Sequence, residues 1–352
     1  MSTESRKFDH IRICLKEKVE SGVKSSFEDI KLVHRCLPQI DFRDIELEAD
    51  FLGRKLSSPI VIAAMTGGHE KALKINANLA EAAENFGIAI GVGSQRAAIE
   101  DRSFEYTYKV VREKAPNAFV IANLGAVQFC RGYTVKEAKR AVDMIEADAI
   151  ALHLNPLQEA VQKEGDLNFS CCLETIEELS SELSVPLIVK ETGAGIAMEE
   201  AMLIEKAGAS AIDIGGLGGT SFAAVESYRV KDSNVAKTFW DWGIPTAASL
   251  IECASSVSIP LIATGGLRSG IDAARAIASG ASLTGFALPL LKPAVRSYKD
   301  VVIKIEEIIN ELKIAMFLTG SRNIYELKTA GFVLTGATGE WLNERKLKLK
   351  KV

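Results

Sequence analysis

Eight short runs rich in β-branched residues recur along the chain, each closing in glycine or polar residues. They are SPIVIAAM (58–65), GIAIGVG (87–93), AFVIANLG (118–125), DAIALHLN (148–155), VPLIVKET (185–192), SAIDIGG (210–216), IPLIATGG (259–266) and SLTGFALP (282–289). Helix-periodic text lies between them, as in NANLAEAAENFG, TVKEAKRAVDMIEA, MEEAMLIEKAGA and GIDAARAIASGA. Apolar positions there recur at helical spacing, and the segments finish in Gly or Ala just before the next run. The runs are apolar without clean alternation, as expected of parallel strands covered on both faces. Eight such units, several about 30 residues apart, predict a (β/α)8 barrel rather than an open doubly wound sheet. FDHIRICLKEK predicts a helical N-terminal extension over residues 1–57. VVIKIEEIINELKIAMFLTGSRNIYELK predicts the last barrel helix and a helical appendix, so the barrel domain runs over 58–352.

In such barrels the chemistry sits at the carboxyl ends of the strands. There the sequence places Met65-Thr66-Gly67-Gly68, Gly93-Ser94-Gln95-Arg96, Asn123-Leu124-Gly125 and Lys190-Glu191-Thr192-Gly193. The later strands end in Gly215-Gly216-Leu217-Gly218-Gly219-Thr220, Thr264-Gly265-Gly266-Leu267-Arg268 and Ala287-Leu288-Pro289. One such end is ordinary turn chemistry, but eight together imply a large polar ligand across the mouth. Glycine pairs after strands six and seven let backbone amides approach a phosphate, aided by a helix N-terminus. Lys190 is the single lysine at a strand end, where a charge is costly unless it meets an anion. It suits a Schiff base, a cation beside an anionic cofactor ring, or a partner for a neighbouring glutamate.

The fourth strand end, HLNPLQE (153–159), carries the richest chemistry. Strand alternation puts His153 and Asn155 on one face, and Pro156 stops the strand. His153 and Asn155 can donate to an anion. Glu159 is a lone carboxylate, enough to anchor a Mg²⁺ already held by phosphate oxygens.

Composition narrows the field. The 352 residues carry 42 Lys and Arg against 46 Asp and Glu, a formal charge of −4. That balance gives no basic face for nucleic acid, so any cationic cluster must serve a local anion. Six cysteines show no CxxC spacing, which predicts reduced thiols in a cytoplasmic protein. The charged N-terminus lacks the apolar core of a signal peptide. No apolar stretch approaches the roughly 18 residues of a membrane span.

With these residues in place, the chain resembles the type 2 isopentenyl-diphosphate isomerases, FMN-dependent barrel enzymes. The resemblance rests on RKFDHI, AAMTGG, GSQR, NLGAVQ, HLNPLQE, VKETGAG, GGLGGTS, FWDWGIPTAASL and TGGLRSG, in order from about residue 6 to 290. It implies interconversion of isopentenyl and dimethylallyl diphosphates with reduced FMN and Mg²⁺, NADPH or NADH serving only to reduce the flavin. It implies FMN contacts from Met65, Thr66, Gly67, Ser94, Asn123, Lys190 and Thr220. Gly265, Gly266, Arg268, Ala287 and Leu288 would hold the ribityl and phosphate end. Arg6, Lys7, Ser94, Arg96, His153 and Asn155 would bind the diphosphate, Gln158 would lie beside the alkene, and Glu159 would bind Mg²⁺. The catalytic group would be Gln158, His153 and Lys190, in a homo-oligomer (tetramer or octamer) with no nucleic-acid or membrane partner.

A diphosphate brings about three negative charges, which arginine and lysine meet with strong charge-assisted hydrogen bonds. Gln158 cannot titrate near neutral pH, so the reduced flavin becomes the expected proton donor and acceptor, with Lys190 stabilising its anionic form. The alternative is an FMN-dependent barrel oxidoreductase. A hydroxy-acid oxidase wants a His base near strand seven, which TGGLR does not offer. A nucleotide dehydrogenase wants a Cys after strand six, absent from GGLGGTS. A Lys190 Schiff-base aldolase would be colourless, and a non-catalytic phosphate-binding barrel leaves Gln158 and Glu159 without a task.

Overall fold

The computed structural model describes residues 3–230 and 234–347. Eight parallel strands close into a barrel in chain order: β1 Ile60–Ile62, β2 Ala89–Gly91, β3 Val120–Gly125, β4 Ala149–Leu154, β5 Leu187–Glu191, β6 Ala211–Asp213, β7 Leu261–Ala263 and β8 Leu283–Phe286. The pairing of Thr284 with Ile60 and Phe286 with Ile62 closes the ring. The expected (β/α)8 barrel is therefore present. Its ladders are shorter than the apolar runs, because the runs continue into the loops that bend over the mouth.

Strand alternation explains both the core and the site. Val61, Ala89, Ile121, Ala151, Ile188, Ala211, Ile262 and Leu283 point into the barrel and form an inner cluster. Their neighbours Ile60, Ile90, Val120, Ile150, Val189, Ile212, Leu261 and others point out, against the helices. Two residues further along, the same inward parity delivers Asn123, His153, Lys190, Asp213 and Thr264 to the mouth. Apolar below and polar above is thus one pattern read along each strand.

The termini hold features that the helical expectation did not contain. The extension opens in helix α1, Thr3–Lys16, and then runs through two single-turn 3₁₀ segments and short strands. A hairpin of Ala49–Phe51 and Arg54–Leu56 turns on Leu52 (φ 47°) and Gly53 (φ 79°), a two-residue turn with both φ positive. Its Phe51 and Leu56 join the inner cluster and plug the amino end of the barrel. Phe51 packs edge-on to Phe119 with ring centres 5.7 Å apart. Burying Phe51 alone contributes about 1.5–3 kcal/mol. Ile30–Leu32 pairs antiparallel with Phe332–Leu334, so the extension and the appendix share a small sheet, whose first strand packs on the helix Gly270–Ala278.

The cysteine expectation is corrected. Cys130 and Cys171 form a disulfide, their Cα atoms 5.6 Å apart across 41 residues of sequence. The loops after β3 and β4 bring them together, which no local spacing announces. Cys14, Cys36, Cys172 and Cys253 are free thiols. Among the described residues no helix is long and apolar enough to cross a membrane.

Candidate active site

A cavity of about 280 Å³ occupies the carboxyl mouth, and α1 lies across it. Arg6, Lys7 and His10 from α1 line the cavity of their own barrel. The helix is held there by its exit strand: Ser21 N–H donates to the Gly219 carbonyl and Ser221 N–H to the Val19 carbonyl, each at 2.8 Å. His10 Nε2 meets the Glu226 carboxylate at 2.8 Å, and Glu226 also receives Arg229 Nε at 2.6 Å.

The cations at the rim are poorly compensated. Burial, and secondarily the nearby Arg6, pushes Lys7 down to about 7. Burial and then Arg96 lower Arg6 from its ordinary value. Lys7 Nζ donates to the Ser94 carbonyl and, at 2.6 Å, to the Tyr108 hydroxyl, which itself donates to Ser94 O at 2.6 Å. Neither partner is anionic. Lys7, buried beside Arg6 and Arg96 and hydrogen-bonded to neutral oxygens, with Glu100 bonded to Arg96, leaves an excess of positive charge at the rim that suits an external anion.

His153 lies deeper. Its Nδ1 sits 2.9 Å from Asn123 Oδ1, and Asn123 Nδ2 is committed to the Val92 carbonyl at 3.0 Å. That orientation makes Nδ1 the protonated nitrogen and leaves a lone pair on Nε2. Burial first, then Lys190, Lys7 and Arg6, lowers His153 to about 3, so it is neutral among these groups. Donation from Nε2 to a phosphate therefore needs a second proton, which only a nearby anion would favour.

At the end of β4, Pro156 opens the short helix Pro156–Val161, with Gln158 half-buried and Glu159 buried. Asn155 Nδ2 donates to Gln158 Oε1 at 3.2 Å and to Glu159 Oε1 at 3.0 Å. Glu159 Oε2 accepts from the Asp166 amide at 2.8 Å and from the Gln162 side chain. The buried oxygens Asn155 Oδ1 and Gln162 Oε1 have no hydrogen-bond partner. Hard oxygens beside one carboxylate suit Mg²⁺, which keeps several waters and takes few protein ligands. Among the described residues no group of three His, Cys, Asp or Glu could hold a metal alone, so the remaining ligands would be phosphate oxygens and water.

Beneath them a polar layer crosses the barrel. Lys190 Nζ donates to the Glu191 carbonyl at 2.8 Å and lies 3.5 Å from the Asp213 carboxylate, which accepts from the Thr264 hydroxyl. Lys190 is thus paired with Asp213 at the same register of the adjacent strand β6, not with the neighbouring Glu191 side chain. Glu191 is raised to about 7 by burial, against three amides of residues 192–194 that donate to it. Sequence reading missed Asp213, although it is the one charge in SAIDIGG. It also missed Tyr108 and Gln128, which lie on helices and carry no strand parity.

On the opposite wall the glycine turns pack backbone on backbone. A Cβ on Gly265 (φ +105°) would lie 2.2 Å from the Gly216 carbonyl, and one on Gly266 (φ +80°) 2.4 Å from Gly218 O. Only glycine satisfies both the conformation and the approach. Thr220, Ala287 and Leu288 also line this wall, and the helix Leu288–Arg296 starts there. Arg268 lines it too, paired with Glu20 at 2.5 Å. Met65, Thr66, Ser94, Arg96 and Asn123 complete the lining, Arg96 bonded to Glu100 at 2.7 Å. Gly67 is the one candidate outside it: it packs on the Tyr108 ring, where a Cβ would come within 2.1 Å. The glycine wall fits a flavin phosphate, and the Lys190 layer fits the ring.

A closed parallel barrel with this mouth defines an enzyme of the FMN-dependent type, and the family profile described as FMN-dependent dehydrogenase matches residues 15–105 and 132–333. A Pediococcus acidilactici lactate oxidase shares the fold at TM-score 0.65, over 95% of this chain and 88% of its own, with 18% identity. A mandelate oxidase superposes at 0.64, over 95% and 99%, with 20% identity. At that distance the likeness shows the fold alone. Sequence relatives are nearer. The isopentenyl-diphosphate delta-isomerase of Archaeoglobus fulgidus is 53% identical over 98% of this chain and 100% of its own, and that of Methanothermobacter thermautotrophicus 51% over 98% and 97%. With half its residues identical over almost the full length of both, the chain belongs to the isopentenyl-diphosphate delta-isomerase family.

Proposed function

We propose that this chain moves the double bond of isopentenyl diphosphate to give dimethylallyl diphosphate, and the reverse, in isoprenoid biosynthesis. The observation that carries the reading is the rim of Arg6, Lys7 and Arg96, facing a glycine wall across one mouth. The terminal methylene carbon gains a proton and the carbon beside the double bond loses one, with no net oxidation. Reduced FMN, when bound, supplies the proton donor and acceptor close to the alkene.

The chain's own residues bind, orient and exclude water. Arg6, Lys7, Arg96 and a protonated His153 hold the diphosphate, and the approaching anion restores the protons that burial withdraws from Lys7 and His153. Glu159 anchors Mg²⁺ against the phosphate oxygens. Asn155 sets both Gln158 and Glu159 through one amide, so metal and alkene positions are coupled. Met65, Thr66, Ser94, Asn123, Thr220 and the backbone at Gly67 would contact the flavin, whose phosphate end would rest on Gly265, Gly266, Arg268, Ala287 and Leu288. Lys190, braced by Asp213, would hold a positive charge for an anionic flavin ring. α1 covers the hydrocarbon tail and keeps bulk water from the reacting carbons.

NADPH or NADH is the proposed reductant and the cytoplasm the proposed compartment. Assembly into a homo-oligomer is supported by exposed Ile303, Ile314 and Leu318 along one helix. The test is product formation from isopentenyl diphosphate by protein carrying reduced FMN and Mg²⁺, compared with the same protein after flavin removal. Turnover without flavin would overturn the reading.

A further inference from the structure

The loop between the helix Pro156–Val161 and the helix Cys172–Glu182 has no regular structure, yet it forms the back of the Glu159 carboxylate. It folds tightly there. A Cβ on Gly165 would lie 1.7 Å from the Glu159 carbonyl oxygen. The Gln162 side chain and the Asp166 amide both donate to Glu159 Oε2. Most of the rest faces solvent, with Leu167 at 69% exposed, so the loop has little buried surface of its own to hold it.

Its ties come from elsewhere. Cys130 is bonded to Cys171, and the adjacent Arg131 places Nε 2.8 Å from the Asp166 carboxylate. Two consecutive residues after β3 therefore grip the loop at its middle and at its far end. A third tie, Glu164 to Arg229 at 2.7 Å through both guanidinium Nη atoms, secures the near end.

We propose that the Cys130–Cys171 disulfide and the Arg131–Asp166 ion pair act together as a brace that fixes Glu159 and thereby sets the affinity of the site for a divalent cation. The inference rests on Glu159 as the metal carboxylate. A carboxylate held by two loop donors is already oriented when the metal arrives, and groups that orient a metal ligand typically change metal affinity by about 10- to 100-fold. Cys130 and Cys171 are both partly buried rather than enclosed, and a small dithiol is the reagent suited to the bond. Dithiothreitol would deliver two electrons and two protons, leaving two cysteine thiols and its own cyclic disulfide.

The experiment uses FMN-loaded protein as wild type, wild type treated with dithiothreitol, the double variant Cys130→Ser/Cys171→Ser, Asp166→Asn and Glu159→Gln. Two quantities are read: hydrogen–deuterium exchange of amides 162–171 without substrate, and the half-saturating Mg²⁺ concentration. The brace predicts exchange at least about tenfold faster and a half-saturating Mg²⁺ about tenfold higher in the double variant and in reduced wild type. Asp166→Asn, which keeps the disulfide, moves both the same way by less. FMN affinity, and substrate KM at saturating Mg²⁺, stay at wild-type values.

Three outcomes overturn it. Unchanged exchange means that the disulfide does not hold the loop. Faster exchange with an unchanged Mg²⁺ response, while Glu159→Gln weakens that response, means that the loop does not orient the carboxylate. An unchanged response in Glu159→Gln removes the metal reading itself, and the brace's role with it.

Discussion

Replacing Lys7 by alanine separates the two halves of the mouth. Its ammonium sits at the rim on neutral partners, Ser94 O and Tyr108 Oη, away from the glycine wall. Removing one charged hydrogen bond to the diphosphate should cost about 1.5–3 kcal/mol, which raises KM roughly 10- to 150-fold. The lowered Lys7 value of about 7 makes this penalty depend on pH. Only the protonated amine binds the anion. At pH 6 nearly all of the free wild-type enzyme carries the proton, but at pH 8 only about one tenth does. Wild-type binding therefore weakens by about tenfold between those values, while the alanine variant has no amine to titrate. The ratio of variant to wild-type KM should fall about tenfold from pH 6 to pH 8, the substrate's own phosphate ionisation cancelling in it. Steady-state kinetics across that range, with FMN titrated by fluorescence quenching, supplies both numbers. A ratio constant with pH would refute the argument from burial. Flavin affinity lost in step with KM would show that the helix serves the cofactor.

Glu159→Gln should raise the half-saturating Mg²⁺ concentration at least tenfold, with kcat recovered in part at high Mg²⁺; a metal titration against wild type checks it. Gln158→Asn withdraws the amide by about 1.5 Å from its place against Asn155, and kcat should drop by up to about 100-fold with KM nearly unchanged. Kinetics on fully reduced enzyme read that split, and a wild-type kcat would leave Gln158 as a loop residue. Cys130→Ser/Cys171→Ser reopens a 41-residue loop in the unfolded chain, worth about 4 kcal/mol in the chain-entropy model. At about 2.1 cal/mol/K per residue that lowers Tm by about 5 °C, measured by calorimetry.

The strands could be read from sequence because each is buried on both faces, leaving continuous apolar runs that nothing else in the chain imitates. The same alternation made much of the site readable: once Ile188 points inward, Lys190 does too, and Ala151 likewise implies His153. What escaped the reading depends on contacts between distant residues. The hairpin that plugs the barrel consists of three-residue strands, too short for a period to show. The pairing of Ile30–Leu32 with Phe332–Leu334 joins opposite ends of the chain. The Cys130–Cys171 bond needs two loops to converge. Arg6 and Lys7 carried the right chemistry for the rim, but only the antiparallel run from Val19 to Ser21 along Gly219–Ser221 brings them over their own mouth. In the unliganded site His153 is neutral with its one N–H on Asn123, so its proposed donation to the diphosphate needs a second proton, and Asn155 spends its side-chain donors on Gln158 and Glu159.

The most direct test is an anaerobic incubation of FMN-loaded protein with isopentenyl diphosphate and Mg²⁺ in deuterated water, followed by NMR with the flavin either oxidised or fully reduced. The account predicts dimethylallyl diphosphate carrying deuterium in its new methyl group when the flavin is reduced, none when it is oxidised, and no net consumption of reductant. Equal turnover in the oxidised state, or reductant consumed in step with product, would contradict it.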